Sequence, residues 1–182
     1  WFHILDHEST RDEFSWNKYE NRIEKNMDRI FQLLTNNKQR ATFFCLGWVA
    51  KKFPKVIKKI DDLGYEIGSH SNLHTLAYNQ TRDEFKVDLE KSIKTIEDIT
   101  GKKVKYYRAP GFSLKERNKW VFDELINQGI EIDCSIFPAP RSHGGFEKFP
   151  SKSPVILSIA GRNIKEFPIN TFSLAGKNLI FS

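Results

Sequence analysis

Only two of the 182 residues are cysteine, Cys45 and Cys134, too few for a disulfide framework. Each lies in an apolar run and reads as a small buried hydrophobe. No apolar stretch approaches the roughly 20 residues that a membrane-crossing helix needs, and no basic, apolar, small-residue leader opens the chain. No G-x-G-x-x-G or phosphate loop follows a strand-like segment, so nucleotide binding has no footing. Concentrated positive charge is also lacking. The 29 basic side chains outnumber the 23 acidic ones to give +6, but Lys51, Lys52, Lys55, Lys58 and Lys59 scatter over helix faces, as solvated surface rather than a nucleic-acid groove. The expectation is a soluble chain, cytoplasmic as supplied, with cell-envelope association left open and no nucleic-acid partner. An initiator Met is absent before Trp1, and the chain stops in the apolar run Asn178-Leu-Ile-Phe-Ser. It is therefore expected to be one domain, residues 1–182, cut at both ends from something longer.

What is present suits a globular core: 39% hydrophobic and 29% charged residues are ordinary proportions for a folded domain of this length. Residues 1–16 carry no clear period and read as loop. From about Trp16 to Asn36, Tyr19, Ile23, Met27, Ile30, Leu33 and Leu34 recur with helical spacing. Ala41–Leu46 is a continuous β-prone run, expected to be a strand buried on both faces. Pro54 suits the first turn of a helix bearing Val56, Ile57, Ile60 and Leu63 before Gly64. A short strand, Tyr65–Ile67, follows. Thr81 with Glu84, and Ser113 with Glu116, have capping-box spacing. The first opens a helix with Phe85, Leu89, Ile93, Ile96 and Ile99 on one stripe; the second opens one with Val121, Phe122, Leu125 and Ile126. Val104–Tyr107 and Ile130–Pro138 read as strands, as do segments near Val155–Ile159 and Ile164–Phe167, beyond a Pro/Gly/Ser-rich loop over 138–154. Strand and helix alternate with short links. That pattern predicts right-handed crossovers and a parallel sheet, best fitted by a distorted or partial parallel (β/α) barrel.

In such a fold the chemistry gathers at the C-terminal strand ends. Four segments fall there: Gly47-Trp48, His70-Ser-Asn-Leu-His74, Arg108-Ala-Pro-Gly111 and Asp133-Cys-Ser135. Imidazole is the commonest protein ligand for Zn²⁺, and a His pair four apart on one turn can share an ion. Two imidazoles, a guanidinium and a carboxylate around one mouth suit metal-assisted hydrolysis, in which the ion acidifies a water and a carboxylate takes its proton. Each element alone has a plain structural reading: a polar loop pair, an arginine bonding loop carbonyls, a turn, a capping aspartate.

The segments A-T-F-F-C-L-G, E-I-G-S-H-S-N-L-H, R-A-P-G-F-S and I-D-C-S-I-F-P, in this order from Ala41 to Pro138, resemble the polysaccharide deacetylases of carbohydrate esterase family four, which share the NodB homology domain. The resemblance implies hydrolysis of N-acetyl or O-acetyl groups on a polysaccharide or oligosaccharide. It implies a divalent metal, most readily Zn²⁺, on His70 and His74, with an upstream Asp as third ligand and Arg108 orienting a catalytic Asp. The family's first-strand acidic motif would fall before Trp1, which places the base Asp outside this sequence; Asp6 is the nearby stand-in. The family's Leu-x-His motif would fall beyond Ser182, with His143 as a substitute or substrate-loop residue. A backbone N–H near Gly111 would meet the oxyanion. Asp133, Phe112 and the 138–154 loop would shape the substrate groove, with Trp48, Phe112 or Phe137 stacking on sugar rings. The alternatives are a non-catalytic carbohydrate-binding relative of the same fold and a metal-dependent amidohydrolase for a small amide.

Overall fold

The chain divides into two compact units, Trp1–Ala41 and Thr42–Ser182. The computed structural model describes residues 20–140, 144–174 and 177–180, with side chains through residue 172. In the first unit, helix α1 spans Ile23–Asn36; the part of the expected helix before residue 20 lies outside the described residues. Its covered stripe is Ile23, Met27, Phe31 and Leu34, with Phe31 buried, whereas Ile30 and Leu33 are exposed. The expected stripe contained Ile30 and Leu33 instead of Phe31. Helical phase alone does not separate them, since Ile30 lies as near Ile23, Met27 and Leu34 on the helix surface as Phe31 does; the burial of Phe31 marks which edge of the stripe is covered.

The second unit holds a six-stranded sheet. Strands β1 (Thr42–Cys45), β2 (Glu66–Ser69), β3 (Tyr106–Tyr107) and β4 (Ile132–Asp133) are parallel neighbours in that order. A hairpin of β5 (Val155–Ile159) and β6 (Arg162–Glu166) follows; β6 lies parallel to β4, and β5 forms the outer edge. Helices α2 (Gly47–Lys52) and α3 (Pro54–Asp62) connect β1 to β2, α4 (Arg82–Thr100) connects β2 to β3, and α5 (Trp120–Asn127) connects β3 to β4. Strands β7 (Thr171–Leu174) and β8 (Lys177–Ile180) form a separate antiparallel pair. The sheet runs open from β1 to β5, a partial barrel of the expected α/β class.

Local chemistry explains most boundaries. Pro54 cannot donate a backbone N–H, so the helical run breaks at Phe53 into α2 and α3. Thr81 and Glu84 form their reciprocal capping box, and α4 ends on Gly101 at φ 69°. The core stripe of α4 is Phe85, Leu89, Ile93 and Ile96, all buried; each such side chain contributes roughly 1.5–3 kcal/mol on leaving water. The second expected box does not form. Ser113 Oγ instead accepts the Ala77 N–H at 2.8 Å, Asn118 Oδ1 takes the Lys115 N–H, and α5 starts only at Trp120. A tertiary partner has outcompeted the local one. Strand β1, expected to be sealed on both faces, is half-buried along its length.

Candidate active site

The loop after β2 carries both histidines, and its backbone is tied down on every side. His70 N–H donates to Cys45 O at 2.9 Å, while Gly47 N–H and Trp48 N–H donate to Ser71 O and Asn72 O. The carboxylate of Asp88, on α4, accepts the Asn72 N–H at 2.7 Å and the Leu73 N–H at 3.3 Å. His74 N–H donates to Ser71 Oγ. These bonds hold Ser71 and His74 at φ 68° and 62°, a left-handed conformation that non-glycine residues adopt only when their surroundings impose it. Gly47 allows the approach: a Cβ there would lie 2.6 Å from Ser92 Cα and 2.7 Å from Asn72 Oδ1.

So fixed, the two imidazoles stand with ring centroids 5.1 Å apart and planes at 69°. His70 Nδ1 is 2.6 Å from Arg108 O. A carbonyl only accepts, so Nδ1 carries the proton and Nε2 keeps its lone pair. That is the tautomer a metal-ligating histidine needs, with its other nitrogen oriented by a backbone acceptor. Burial lowers the His70 pKa to about 4, with the neighbouring charges of His74 and Arg108 adding to the effect; the ring is neutral at pH 7. These donors fit a divalent cation. Among the described residues no group of three or more His, Cys, Asp or Glu side chains is arranged to hold a metal.

Arg108 follows β3 and lies beside the pair. Its guanidinium carbon sits 4.5 Å over the Phe44 ring and 5.6 Å over the Phe112 ring, and Nε donates to Cys134 O at 3.2 Å. Among the described residues it has no Asp or Glu ion-pair partner, and its side chain also lies against the Cys134 thiol. Gly111 and Phe112 both take positive φ, 59° and 51°, in the tight turn after Pro110. Gly144 seats the following loop on that turn: a Cβ at 144 would come 2.0 Å from Phe112 O.

The structure thus brings His70, His74, Arg108, Gly111 and Phe112 to one end of the sheet. Asp133 is not with them. It is fully buried, its carboxyl bonded to Ser135 Oγ and facing Glu166 rather than any groove, because the final residue of β4 turns its side chain to the helix-covered side. Phe137 is also buried, edge-on to Phe112 at 6.0 Å, which leaves half-exposed Phe112 and Trp48 as the surface aromatics. Asp6 and His143 lie outside the described residues. Asp88 was missed in the sequence. On α4 it is one of several acids, and only the fold shows that it receives the histidine loop. Burial raises its carboxyl while the Asn72 and Leu73 N–H groups pull the other way. The thiols of Cys45 and Cys134 are pushed up by burial, to about 12 and about 11, and stay protonated at pH 7.

A sequence model described as polysaccharide deacetylase matches residues 8–129. The chain belongs to the polysaccharide deacetylase family. It is 31% identical over 97 residues to a peptidoglycan-N-acetylglucosamine deacetylase of Bacillus cereus, covering 53% of this chain and 35% of that one. It is 30% identical over 82 residues to the peptidoglycan-N-acetylmuramic acid deacetylase PdaA of Bacillus subtilis, covering 45% and 31%. The chain thus spans about a third of the length of these curated relatives. Among solved structures, a protein assigned as a polysaccharide deacetylase from Mycobacterium smegmatis superposes with TM-score 0.67 at 24% identity, covering 79% of this chain and 45% of that one, a likeness of fold. A CE4 family pseudoenzyme from Bacillus anthracis gives TM-score 0.54 at 27% identity, covering 58% and 37%. Among the described residues no helix is long and apolar enough to cross a membrane.

Proposed function

We propose that this deacetylase-family chain provides the two-histidine part of a metal-dependent site that hydrolyses acetyl groups from a polysaccharide. The observation that carries this reading is the His70 Nδ1 contact to Arg108 O, which presents Nε2 beside His74 in its ligating form. A divalent cation held there, Zn²⁺ by preference for imidazole, would acidify a water and polarise the acetyl carbonyl. His70 and His74 bind the ion and are kept in place by Asp88 and the Cys45 carbonyl. Arg108, stacked between Phe44 and Phe112 with Nε already engaged, offers its outer nitrogens to the carboxylate that takes the water's proton. We assign that base to an Asp upstream of Trp1. A backbone N–H near Gly111 meets the developing oxyanion, and Trp48 and Phe112 offer faces to sugar rings. The relatives' names favour an N-acetylhexosamine glycan as substrate.

The test is acetate release from peptidoglycan and from chitooligosaccharides by the protein with its upstream segment, with and without chelator. Chelation should abolish release, and so should His70→Ala or His74→Ala. Stoichiometric zinc retained by the double variant would refute the site. Zinc bound without turnover on any acetylated glycan would favour the non-catalytic reading, which the Bacillus anthracis pseudoenzyme keeps in view. Arg108→Lys should bind zinc as the parent does but lose most turnover, because an ammonium cannot reproduce the planar two-pronged contact to a carboxylate. An unchanged rate would remove the orienting role.

A further inference from the structure

Four residues in register cross the sheet on one face: Ser69 pairs with Tyr107, Tyr107 with Asp133 and Asp133 with Glu166. All four are buried, and the two acids are fully so. Ser69 Oγ finds Ser92 Oγ at 2.8 Å. Each acid has one satisfied oxygen. Asp133 Oδ1 accepts from Ser135 Oγ, and Glu166 Oε1 accepts the Ile136 N–H at 3.1 Å. The other two oxygens, Asp133 Oδ2 and Glu166 Oε2, are buried without an N–H or hydroxyl donor. Among the described residues neither acid has a Lys or Arg ion-pair partner. The ionisable groups around them are Tyr107 from β3 and Cys134 from β4, with Asp88 of α4 acting on Tyr107. On α5, the buried Glu124 is turned to Arg82, and on β6 Arg162 is turned to Asn127 and Asp123.

Two ionised carboxylates side by side in a dry, cation-free place would each lack solvation and repel the other. One proton resolves both problems, giving Oδ2 and Oε2 to each other as donor and acceptor. We infer that Asp133 and Glu166 share a single proton at neutral pH and that this pair positions the Arg108 turn. The linkage is direct. Ser135 Oγ, which donates to Asp133, accepts the Ala109 N–H at 2.7 Å, and Cys134 O, between the two, accepts from Arg108 Nε. Loss of the proton sets Oδ2 against Oε2, parts the ends of β4 and β6, and loosens both contacts to residues 108 and 109. Burial pushes both carboxyls up, and the Asp133 charge pushes Glu166 further; the titration belongs to the pair. Nothing in this inference depends on a metal or on deacetylation.

The sign follows from proton counting. The folded chain holds a proton that the unfolded chain releases above a glutamate's usual pKa of about 4.3. Stability is therefore fully present below that pH and falls as pH rises toward the pair's raised value, by up to about tenfold in the unfolding constant per pH unit. Urea unfolding between pH 6 and 9 tests this on the parent, Glu166→Gln and Asp133→Asn. Either amide replaces the shared proton with a fixed N–H donor, so the parent should show the extra slope and at least one folded amide variant should lack it. Equal slopes throughout, or failure of both amide variants to fold at pH 6, would overturn the shared proton. The positioning role has its own readout, the Arg108 Nε–H NMR resonance, identified by its loss in Arg108→Lys. Its exchange in the parent, divided by that in the flat-slope amide variant, should rise with pH. A constant ratio would leave the pair as ballast in the core and overturn its hold on Arg108.

Discussion

At the strand ends, the His70–His74 loop meets partners of the opposite kind: N–H groups point at the Asp88 carboxylate, and a ring N–H points at a carbonyl. On the buried face of the same sheet, Asp133 and Glu166 meet like with like. The first arrangement is complete as drawn and needs Asp88 as an acceptor through both oxygens. The second is complete only with a proton. Removing charge should therefore damage one and spare the other. A rigid histidine loop thus rests on charge complementarity, and beside it an arginine turn rests on a pair that shares one proton.

The largest effect that would break this contrast is on the loop side. Asp88→Ala leaves the Asn72 and Leu73 N–H groups without their acceptor, and Asn72 is buried. The expected loss is about 2–3 kcal/mol by urea unfolding, from unpaired donors and a lost charge-assisted bond. Zinc affinity by calorimetry should fall with it, since the left-handed turns at Ser71 and His74 lose their support. Asp88→Asn keeps one acceptor of two and should fall between. If Asp88→Asn matched the parent in both measurements, the loop would not depend on charge, and the contrast with Glu166→Gln would vanish.

The next effect lies on the carboxyl side. Ser135→Ala removes the hydroxyl between the Ala109 N–H and Asp133, and should cost about 1–2 kcal/mol as a buried donor goes unpaired. Arg108 should become more mobile while His70 and His74 keep their zinc affinity. A fall in zinc affinity as large as that of Asp88→Ala would mean the two regions are one.

How much of this could be read in the chain follows the same division. The histidine loop was legible because its chemistry is local: H-x-x-x-H, a preceding glycine and serine, and a strand run ending just before them. Likewise Thr81 and Glu84 are three apart and their box forms. Ser113 and Glu116 are equally spaced, yet the Ala77 N–H, 36 positions away, captures the Ser113 hydroxyl. The carboxyl pair was illegible for the same reason. Asp133 and Glu166 are made neighbours by the direct pairing of β4 with β6, although a long loop and strand β5 separate them in the chain, and no sequence period encodes that. Expecting Asp133 in a substrate groove carried the logic of strand ends one residue too far: side chains alternate along a strand, so the residue that ends it can turn to either face.

The smallest effect is the most discriminating, because Ser69 belongs to both regions. It ends β2 next to His70, begins the buried row, and bonds Ser92 on the same helix as Asp88. Ser69→Ala alone strands the Ser92 hydroxyl, and Ser92→Ala alone strands that of Ser69, each costing about 1 kcal/mol. The double variant removes both partners, so its cost should stay near that of one single change rather than their sum. Zinc affinity should be unchanged in all three, because the loop's backbone is held by Asp88 and Cys45 and not by this pair. Additive losses would mean that the two hydroxyls stabilise the sheet through different neighbours. Lost zinc affinity would mean that the row's packing against α4, rather than the Asp88 carboxylate, sets the histidines.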